Sequence, residues 1–303
     1  MLRVFDEDAW KRTVYQIKTR RCTPFIGAGA SVEYVPVARD LAKALALEYS
    51  YPFDDPGDLA RVSQFAAVGQ GDRLYIKQKF ADDMFANVSV PDFHALDEPY
   101  ALLADFGLPV YLTTNYDDFM YEALEDRGCK PQRAICPWYT TDPWEVEQAN
   151  SLFQDAAGYD PGEKKPIVYH LHGHHGTPAS LVLTEDDYID FLVRVSSDPK
   201  LLPPVIRQSL ASQMLLFIGY SLADSTFRVI FRWLLSTRPA QAQAAHVSVQ
   251  LPPSAKEAKD ATDDRPLREQ EYLDKYFAEQ RISICWMTAR AFSKELRRRG
   301  AAR

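Results

Sequence analysis

The stretch Cys22-Thr-Pro-Phe-Ile26, followed at once by Gly27-Ala-Gly-Ala-Ser31, indicates the fold most directly. A run of apolar residues that stops at glycines predicts a buried strand that breaks into a tight turn. Such a turn can bring backbone N–H groups close to a pyrophosphate. A plain strand-to-helix turn explains the same residues, so this segment alone leaves both interpretations open. The candidate nucleotide-binding residues here are Gly27, Ala28, Gly29 and Ser31.

The turn lacks two features of the dehydrogenase fingerprint. Where that fingerprint places its third glycine, Ser31 is followed by Val32, Glu33 and Tyr34. No acidic residue stands at a predicted strand end about 20 residues further on, where it would hold a ribose. Both differences argue against a hydride-transferring enzyme.

Five more apolar runs predict strands further along the chain, and helical patterns separate most of them. These runs are 108–114, 167–172, 214–218, 246–249 and 282–286. Short strands that are apolar on both faces are typical of parallel sheets covered by helices. We therefore predict an α/β fold with a Rossmann-like parallel sheet of about six strands. The chain is expected to form a single domain over 1–303, with a helical insertion at about 39–106 and a loop-rich insertion at about 129–165.

Glycines or polar residues follow four of the predicted strands directly. These segments are Gly27–Ser31, Asn115–Asp117, His172–Gly173 and Gly219–Ser221. Ligands of open parallel sheets bind beyond the carboxyl ends of the strands, near the reversal of strand order. The four segments therefore predict one shared binding site.

Two of these segments also have plain structural explanations. Asn115 could cap the following helix, or its amide and the Asp117 carboxylate could face a ribose. Ser221 or Asp224 could likewise cap the helix that is predicted to follow Gly219. The G-x-S pattern there is not a hydrolase nucleophile elbow, because that motif needs a second glycine two residues after the serine.

Four of the six histidines stand together in the segment His170–His175. Because His170 and His172 share one face of a strand, a metal site is one interpretation, but no carboxylate or cysteine of suitable spacing stands close in sequence. A general base at the strand end is the favoured interpretation, with His172 in that role. His174 and His175 are expected to lie in an exposed loop, and no metal is predicted.

Composition and charge narrow the class of protein. The 303 residues carry a formal net charge of −7, so direct binding to a nucleic-acid backbone is not expected. The four cysteines form no C-x-x-C pair, which excludes a zinc ribbon. Neither a signal peptide nor a long apolar run is present, so a cytoplasmic protein without membrane contact is expected.

The four strand-end segments together resemble the motifs of the sirtuin superfamily, in order and in spacing. Gly27–Ser31 is similar to the G-A-G-x-S loop, and Thr113–Asp117 is similar to T-Q-N-x-D, with Thr114 in place of the glutamine. Leu171–Gly173 and Gly219–Leu222 resemble the H-G and G-x-S-L motifs. The resemblance implies an NAD-binding fold.

The missing zinc ribbon separates this chain from the sirtuin deacylases. Asn115–Asp118, Leu183–Tyr188 and Phe217–Asp224 resemble segments of the bacterial sirtuin-like NADases of antiphage defence. That family includes effectors of Thoeris, short-Argonaute and HerA-linked systems. The resemblance implies that NAD is a substrate rather than a cofactor, that it is hydrolysed to nicotinamide and ADP-ribose, and that its depletion halts the infected cell by abortive infection.

The resemblance also implies roles for individual residues. Carried over by motif, Asn115 and His172 form the catalytic pair, and Asp117 contacts the nicotinamide ribose. The residues implied to line the dinucleotide are Gly27, Ala28, Gly29, Ser31, Thr114, Gly219 and Ser221.

The resemblance further implies a control on the activity, because unregulated NAD hydrolysis would be toxic and no sensor domain is evident. That control is expected from assembly into a homo-oligomer, or from a partner such as a HerA-type ATPase or an Argonaute. Two alternative functions stay open. One is a module that senses NAD or ADP-ribose without turning it over, and the other is a protein deacylase, which the missing ribbon disfavours.

Overall fold

A computed structural model describes residues 5–153, 159–220, 245–253 and 264–301 of the chain. Its centre is a parallel sheet with seven strands in these ranges, which confirms the predicted α/β class and adds one strand to the six expected. The strands are β1 (Cys22–Ile26), β2 (Val110–Thr113), β3 (Gln132–Ile135), β4 (Ile167–His170), β5 (Met214–Ile218), β6 (His246–Gln250) and β7 (Ile282–Trp286).

The strand order across the sheet is β3-β4-β2-β1-β5-β6-β7, and every neighbouring pair is parallel. β1 lies between β2 and β5, so Ile26 is in register with Thr113 on one side and with Ile218 on the other. The chain fills one half of the sheet up to β4 and then crosses over to β5. The order therefore reverses beside β1, where a ligand crevice is expected.

Helices cover both faces of the sheet, because successive residues of each strand are apolar and point to opposite sides. In β5 all five residues are buried, with Leu216 in one core and Phe217 in the other. The helices of the described ranges are α1 (Glu7–Lys18), α2 (Ala38–Glu48), α3 (Leu59–Gln70), α4 (Arg73–Phe85), α5 (Pro99–Asp105), α6 (Phe119–Asp126), α7 (Pro143–Ala149), α8 (Glu185–Ser197), α9 (Pro204–Ser212), α10 (Arg265–Ala278) and α11 (Ala289–Arg298).

The segment predicted as a helical insertion contains α2, α3, α4 and α5. Residues 59–85 form two helices, α3 and α4, because Gly71 adopts φ +68° and Asp72 caps the second helix. α2, α3 and α4 share a small core of their own, which also contains Leu181 and Leu183. This segment therefore packs beside the carboxyl ends of the sheet strands.

The segment predicted as loops at 129–165 contains regular structure that the apolar pattern did not reveal. β3 is an edge strand with a mixed sequence, Gln-Arg-Ala-Ile, in which only Ala134 is buried. α7 begins at Pro143, and Asp142 caps it. A proline in the first turn of a helix is favourable, so it marks a helix start here.

The helix predicted to follow Gly219 lies outside the described residues, together with Ser221 and Asp224. Across the ranges that are described, no helix combines the length and the apolar character needed to cross a bilayer.

Candidate functional site

A cavity of about 830 Å³ opens at the carboxyl ends of β1, β2, β4 and β5, beside the reversal of strand order. Its volume suits a small-molecule ligand. Gln250, at the end of β6, and Arg290, in the first turn of α11, also contribute to its wall. The sequence-predicted residues that line it are Ala28, Gly29, Ser31, Thr114, Asn115, Asp117, His172 and Gly219. Gly27 does not line the cavity itself, and Ser221 lies outside the described residues.

Gly27 and Gly29 pack backbone against backbone with Gly219, and we call this contact the glycine interlock. Gly29 N–H donates to the Gly219 carbonyl at 2.8 Å, and Gly27 N–H donates to the Ile218 carbonyl at 2.9 Å. Gly219 has φ +82°, and a Cβ placed on it would lie 2.4 Å from the Gly27 carbonyl oxygen. The interlock gives these glycines a packing role beside the predicted contact with a nucleotide.

Asn115 is held in place through its amide nitrogen. Nδ2 is 3.2 Å from the Gly27 carbonyl oxygen, 2.9 Å from Ser31 Oγ and 3.1 Å from Tyr100 OH. The Oδ1 atom is buried and has no hydrogen-bond partner in the described part of the chain. Asn115 lines the cavity, so its amide oxygen is the group left for a ligand.

The start of α6 is not capped by Asn115, so that interpretation of the asparagine is wrong. Phe119 N–H donates to Asp117 Oδ1 at 3.2 Å, and Ser31 Oγ donates to Asp117 Oδ2 at 2.9 Å. Burial raises the pKa of Asp117 to about 6, although the Ser31 hydrogen bond lowers it. A carboxylate with this pKa is mostly ionised near neutral pH and carries a weakly screened charge beside the cavity.

His172 lies in an aromatic pocket made by α8. Its ring meets Tyr188 and Phe191 edge-on, with centroid distances of 5.7 and 4.9 Å. Burial lowers the pKa of His172 to about 3, so the imidazole is neutral at physiological pH. The Nε2 atom is buried without a hydrogen-bond partner among the described residues. It can therefore accept or donate one hydrogen bond to a ligand or water at the cavity wall.

The neighbouring histidines support the loop beyond β4. His170 is fully buried, and its Nδ1 lies 3.1 Å from the Asn115 carbonyl oxygen, which fixes the backbone of that asparagine. His174 is 5% exposed, so the expectation of an exposed loop is wrong for this residue. The backbone N–H of His174 donates to Ser180 Oγ, and its ring nitrogen Nδ1 accepts from the backbone N–H of Gly176.

One cluster in the described part of the chain has the spacing of metal ligands: Asp118, His174 and His175. Two contacts favour an ion-pair cluster instead. Arg133 Nη2 lies 2.5 Å from Asp118 Oδ1, which already neutralises the carboxylate. Because His174 Nδ1 accepts a hydrogen bond, its Nε2 carries the proton and faces Asp118 at 3.1 Å. Burial raises the pKa of Asp118, but these neighbours outweigh it and hold the pKa well below its usual range.

Tyr220 is a cavity residue that the sequence motif did not single out. Its OH lies 2.6 Å from Thr114 Oγ1 and donates to the Ile26 carbonyl at 3.1 Å. Gln250 Nε2 donates to the Tyr220 carbonyl at 2.7 Å. Thr114, which replaces the glutamine of the sirtuin motif, is thus joined to the end of β5. The sequence could have indicated Tyr220 as a cavity residue, because it directly follows Gly219 at a predicted strand end.

The segment Thr184–Tyr188 links the site to the helical segment. Thr184 and Asp187 form a capping box at the start of α8. The Asp187 carboxylate also lies 2.8 Å from Lys77 Nζ of α4, and both side chains are almost fully buried. One turn of helix therefore carries an ion pair on one side and Tyr188, which contacts His172, on the other.

Arg290 is the one arginine or lysine among the described residues that line the cavity. Its guanidinium lies 2.6 Å from Glu33 Oε2 and 3.1 Å from Asp97 Oδ1, with the buried Glu98 at 3.4 Å. The positive charge is thus already balanced by carboxylates. A phosphate in this cavity would be bound chiefly through backbone N–H and hydroxyl groups.

Two relatives with the same name match most of this chain. NAD(+) hydrolase ThsA of Bacillus cereus (strain MSX-D12) is 28% identical over 203 residues, which cover 66% of this chain and 37% of that protein. NAD(+) hydrolase ThsA of Acinetobacter baumannii (strain 532279) is 23% identical over 215 residues, which cover 70% of this chain and 39% of that protein. The chain therefore spans about two fifths of the length of these curated relatives.

A solved structure described as "Structural Basis for the Mechanism and Regulation of Sir2 Enzymes" aligns with 98% of this chain and 100% of its own, at a TM-score of 0.40 and 12% identity. This TM-score is too low for the alignment to support either the fold or the function. The SIR2-like domain model matches residues 109–282, which include Asn115, Asp117 and His172 but not the first glycine turn. Because that match covers more than half of the sequence, this chain belongs to the SIR2-like domain family.

Proposed function

We propose that this chain hydrolyses NAD at the bond between nicotinamide and ribose, giving nicotinamide and ADP-ribose. The observation that carries the proposal is the cavity wall formed by Asn115, Asp117 and His172. Two buried polar atoms on it, Asn115 Oδ1 and His172 Nε2, have no hydrogen-bond partner within the described ranges. Buried polar atoms usually have a partner, so a ligand or a water in the cavity is expected to satisfy these two. The name shared by the two relatives supports the same activity.

The chemistry asks little of a general acid. The C–N bond to a cationic pyridinium breaks with its electron pair, so nicotinamide leaves as a neutral molecule and the ribose becomes an oxocarbenium-like cation. Water then adds to the ribose carbon and gives up one proton. The site must therefore stabilise positive charge on the sugar and admit one water molecule.

The three residues match these tasks. Asp117 supplies negative charge from a buried position, where it is weakly screened. Asn115 Oδ1 accepts a hydrogen bond from the attacking water or from a ribose hydroxyl. His172 has a pKa of about 3 and is therefore a weak base. It orients the water, and it receives the water's proton only as the new C–O bond forms.

The dinucleotide would lie along the cavity past the glycine interlock. We propose that Thr114 contacts the nicotinamide side. The proposed lining of the rest of the dinucleotide is Gly27, Ala28, Gly29, Ser31, Gly219 and Ser221. NAD acts in this scheme as substrate, and no bound cofactor or metal is required.

The test is release of nicotinamide and ADP-ribose from NAD, followed by chromatography. We expect Asn115→Ala and His172→Ala each to lower the turnover rate on the order of a hundredfold or more. The matched controls are Asn87→Ala and His94→Ala, which change exposed residues outside the cavity. Folded Asn115→Ala and His172→Ala variants with wild-type turnover would show that the proposed assignment is wrong.

The same assay separates the alternatives. If the wild-type protein binds NAD or ADP-ribose tightly, measured by calorimetry, but releases no nicotinamide in any assembly state, the chain is a sensing module. Release of acyl-ADP-ribose from an acylated peptide would instead identify a deacylase.

We further propose that the activity serves antiphage defence in the cytoplasm, by NAD depletion that is switched on through homo-oligomer formation or through a partner protein. A HerA-type ATPase and an Argonaute are the partner classes that the family resemblance suggests. Turnover measured beside particle mass, with and without the products of neighbouring genes, tests this control. Full activity in an isolated monomer would contradict it.

A further inference from the structure

Tyr100 is a buried tyrosine of α5 that stands behind the cavity wall. Its OH lies 2.5 Å from Ser31 Oγ and 3.1 Å from Asn115 Nδ2, and the side chain is 1% exposed. Its ring packs edge-on against Phe119 at 5.7 Å, and its N–H donates to Glu98 Oε1 at 3.2 Å. The phenol is therefore fixed at the point where two predicted site residues meet.

Counting hydrogens sets the direction of each hydrogen bond. The Asp117 carboxylate can only accept when ionised, so the single hydroxyl hydrogen of Ser31 goes to Asp117 Oδ2. Ser31 Oγ must then accept from Tyr100, which donates its own hydrogen there. The Tyr100 oxygen is left as an acceptor, so the two hydrogens of Asn115 Nδ2 are shared among Tyr100 OH, Ser31 Oγ and the Gly27 carbonyl. Burial raises the pKa of Tyr100 well above its usual range, so the phenol keeps the hydrogen that this chain of bonds needs.

The same count fixes the amide of Asn115. Rotating that amide by half a turn would place Oδ1 against the Gly27 carbonyl oxygen, which is only an acceptor. It would also face Tyr100 and Ser31, whose hydrogens are already donated elsewhere. Only the observed orientation turns the donor nitrogen toward these three acceptors, and it leaves Oδ1 for the cavity.

We propose that Tyr100 is a positioning residue that fixes the side-chain amide of Asn115, so that Oδ1 is the atom presented to the substrate. This inference rests on the proposed function, because it assigns Asn115 a part in the reaction. Tyr100 does not line the cavity, so it acts through Asn115 rather than on NAD itself.

The first experiment is a kinetic cycle on nicotinamide release. Tyr100→Phe removes the hydrogen bonds to Ser31 and from Asn115. Losing the one that positions Asn115 lowers kcat by roughly five- to tenfold, with KM for NAD within about twofold. In an Asn115→Ala background, Tyr100→Phe lowers kcat no further, because the group it positions is gone. The matched control is Tyr111→Phe, which changes a fully buried tyrosine whose OH donates to the Leu103 carbonyl outside the site. It leaves kcat unchanged.

The second experiment does not depend on turnover. The side-chain 1H–15N amide signals of Asn115, assigned by their loss in Asn115→Ala, exchange with solvent faster in Tyr100→Phe than in the wild type or in Tyr111→Phe. Unchanged exchange, or an equal fall in kcat in the presence and absence of Asn115, overturns the inference. A wild type that releases no nicotinamide overturns the proposed function alone, because amide exchange still decides the role of Tyr100.

Discussion

Gly219→Ala tests the glycine interlock, which holds the ends of β1 and β5 together. The new Cβ would lie 2.4 Å from both the Gly27 carbonyl oxygen and the Ala30 nitrogen, a separation that backbone atoms must move to relieve. Gly219 also has φ +82°, a conformation that side chains rarely adopt. The substitution therefore combines backbone strain with a steric clash.

The magnitude follows from these two parts. Placing a Cβ at positive φ costs roughly 1–2 kcal/mol, and overpacking a close contact costs roughly 1–3 kcal/mol more. We expect Gly219→Ala to lower the free energy of unfolding by about 2–5 kcal/mol in total. In domains of about 150–250 residues, each kcal/mol of lost stability lowers the melting temperature by roughly 2–4 °C.

Gly128→Ala is the matched control, because it separates strain from clash. Gly128 has φ +71°, but nothing lies within 4 Å of a Cβ built on it. We expect this variant to show only the strain, about 1–2 kcal/mol. Thermal unfolding of both variants, followed by circular dichroism, measures the difference. Equal losses of stability would refute the interlock as the reason for glycine at position 219.

Two further predictions concern buried charge. Because Asp117 has a pKa of about 6 and must be ionised to stabilise the ribose cation, nicotinamide release is expected to fall as the pH drops through 6, while His172, with a pKa of about 3, stays neutral there. An Asp117→Asn variant with residual turnover that keeps this acid limb would contradict the assignment. Lys77→Met removes the buried cation nearest to Asp187 and leaves that carboxylate only the partly exposed Arg73 at 3.4 Å, which costs up to about 3–5 kcal/mol of stability. Lys79→Met, at a partly exposed site, costs about 0–1 kcal/mol. Similar melting temperatures for the two lysine variants would count against the importance of the buried pair.

The strand ends were predictable from the sequence because the carboxyl ends of parallel strands meet at one edge. An apolar run followed by a glycine, asparagine or histidine indicates both a strand and the point where it ends, as at Ile26 and Ile218, which are each followed by a glycine. The structure brings these ends together in one cavity. β3 was missed because an edge strand is partly solvated, so its sequence carries no continuous apolar signal.

Residues that reach the site from other parts of the fold were not predictable. Tyr100 lies in α5, outside the predicted motifs, and it contacts Ser31 across 69 positions of sequence. Arg290 likewise reaches Glu33 across more than 250 positions of sequence. Neither contact leaves a local pattern, because each depends on tertiary packing.

The buried position of the site changes what its titratable groups can do. Burial pushes the pKa of Asp117 up and that of His172 down, so both shifts favour the neutral forms. A site that relied on a strong general base would suffer from this. A site that must attract a cationic sugar gains from it, because the Asp117 carboxylate stays mostly ionised near neutral pH and acts through a weakly screening interior. The same burial that weakens His172 as a base thus strengthens Asp117 as an electrostatic partner, and this is the balance expected when the leaving group departs without help.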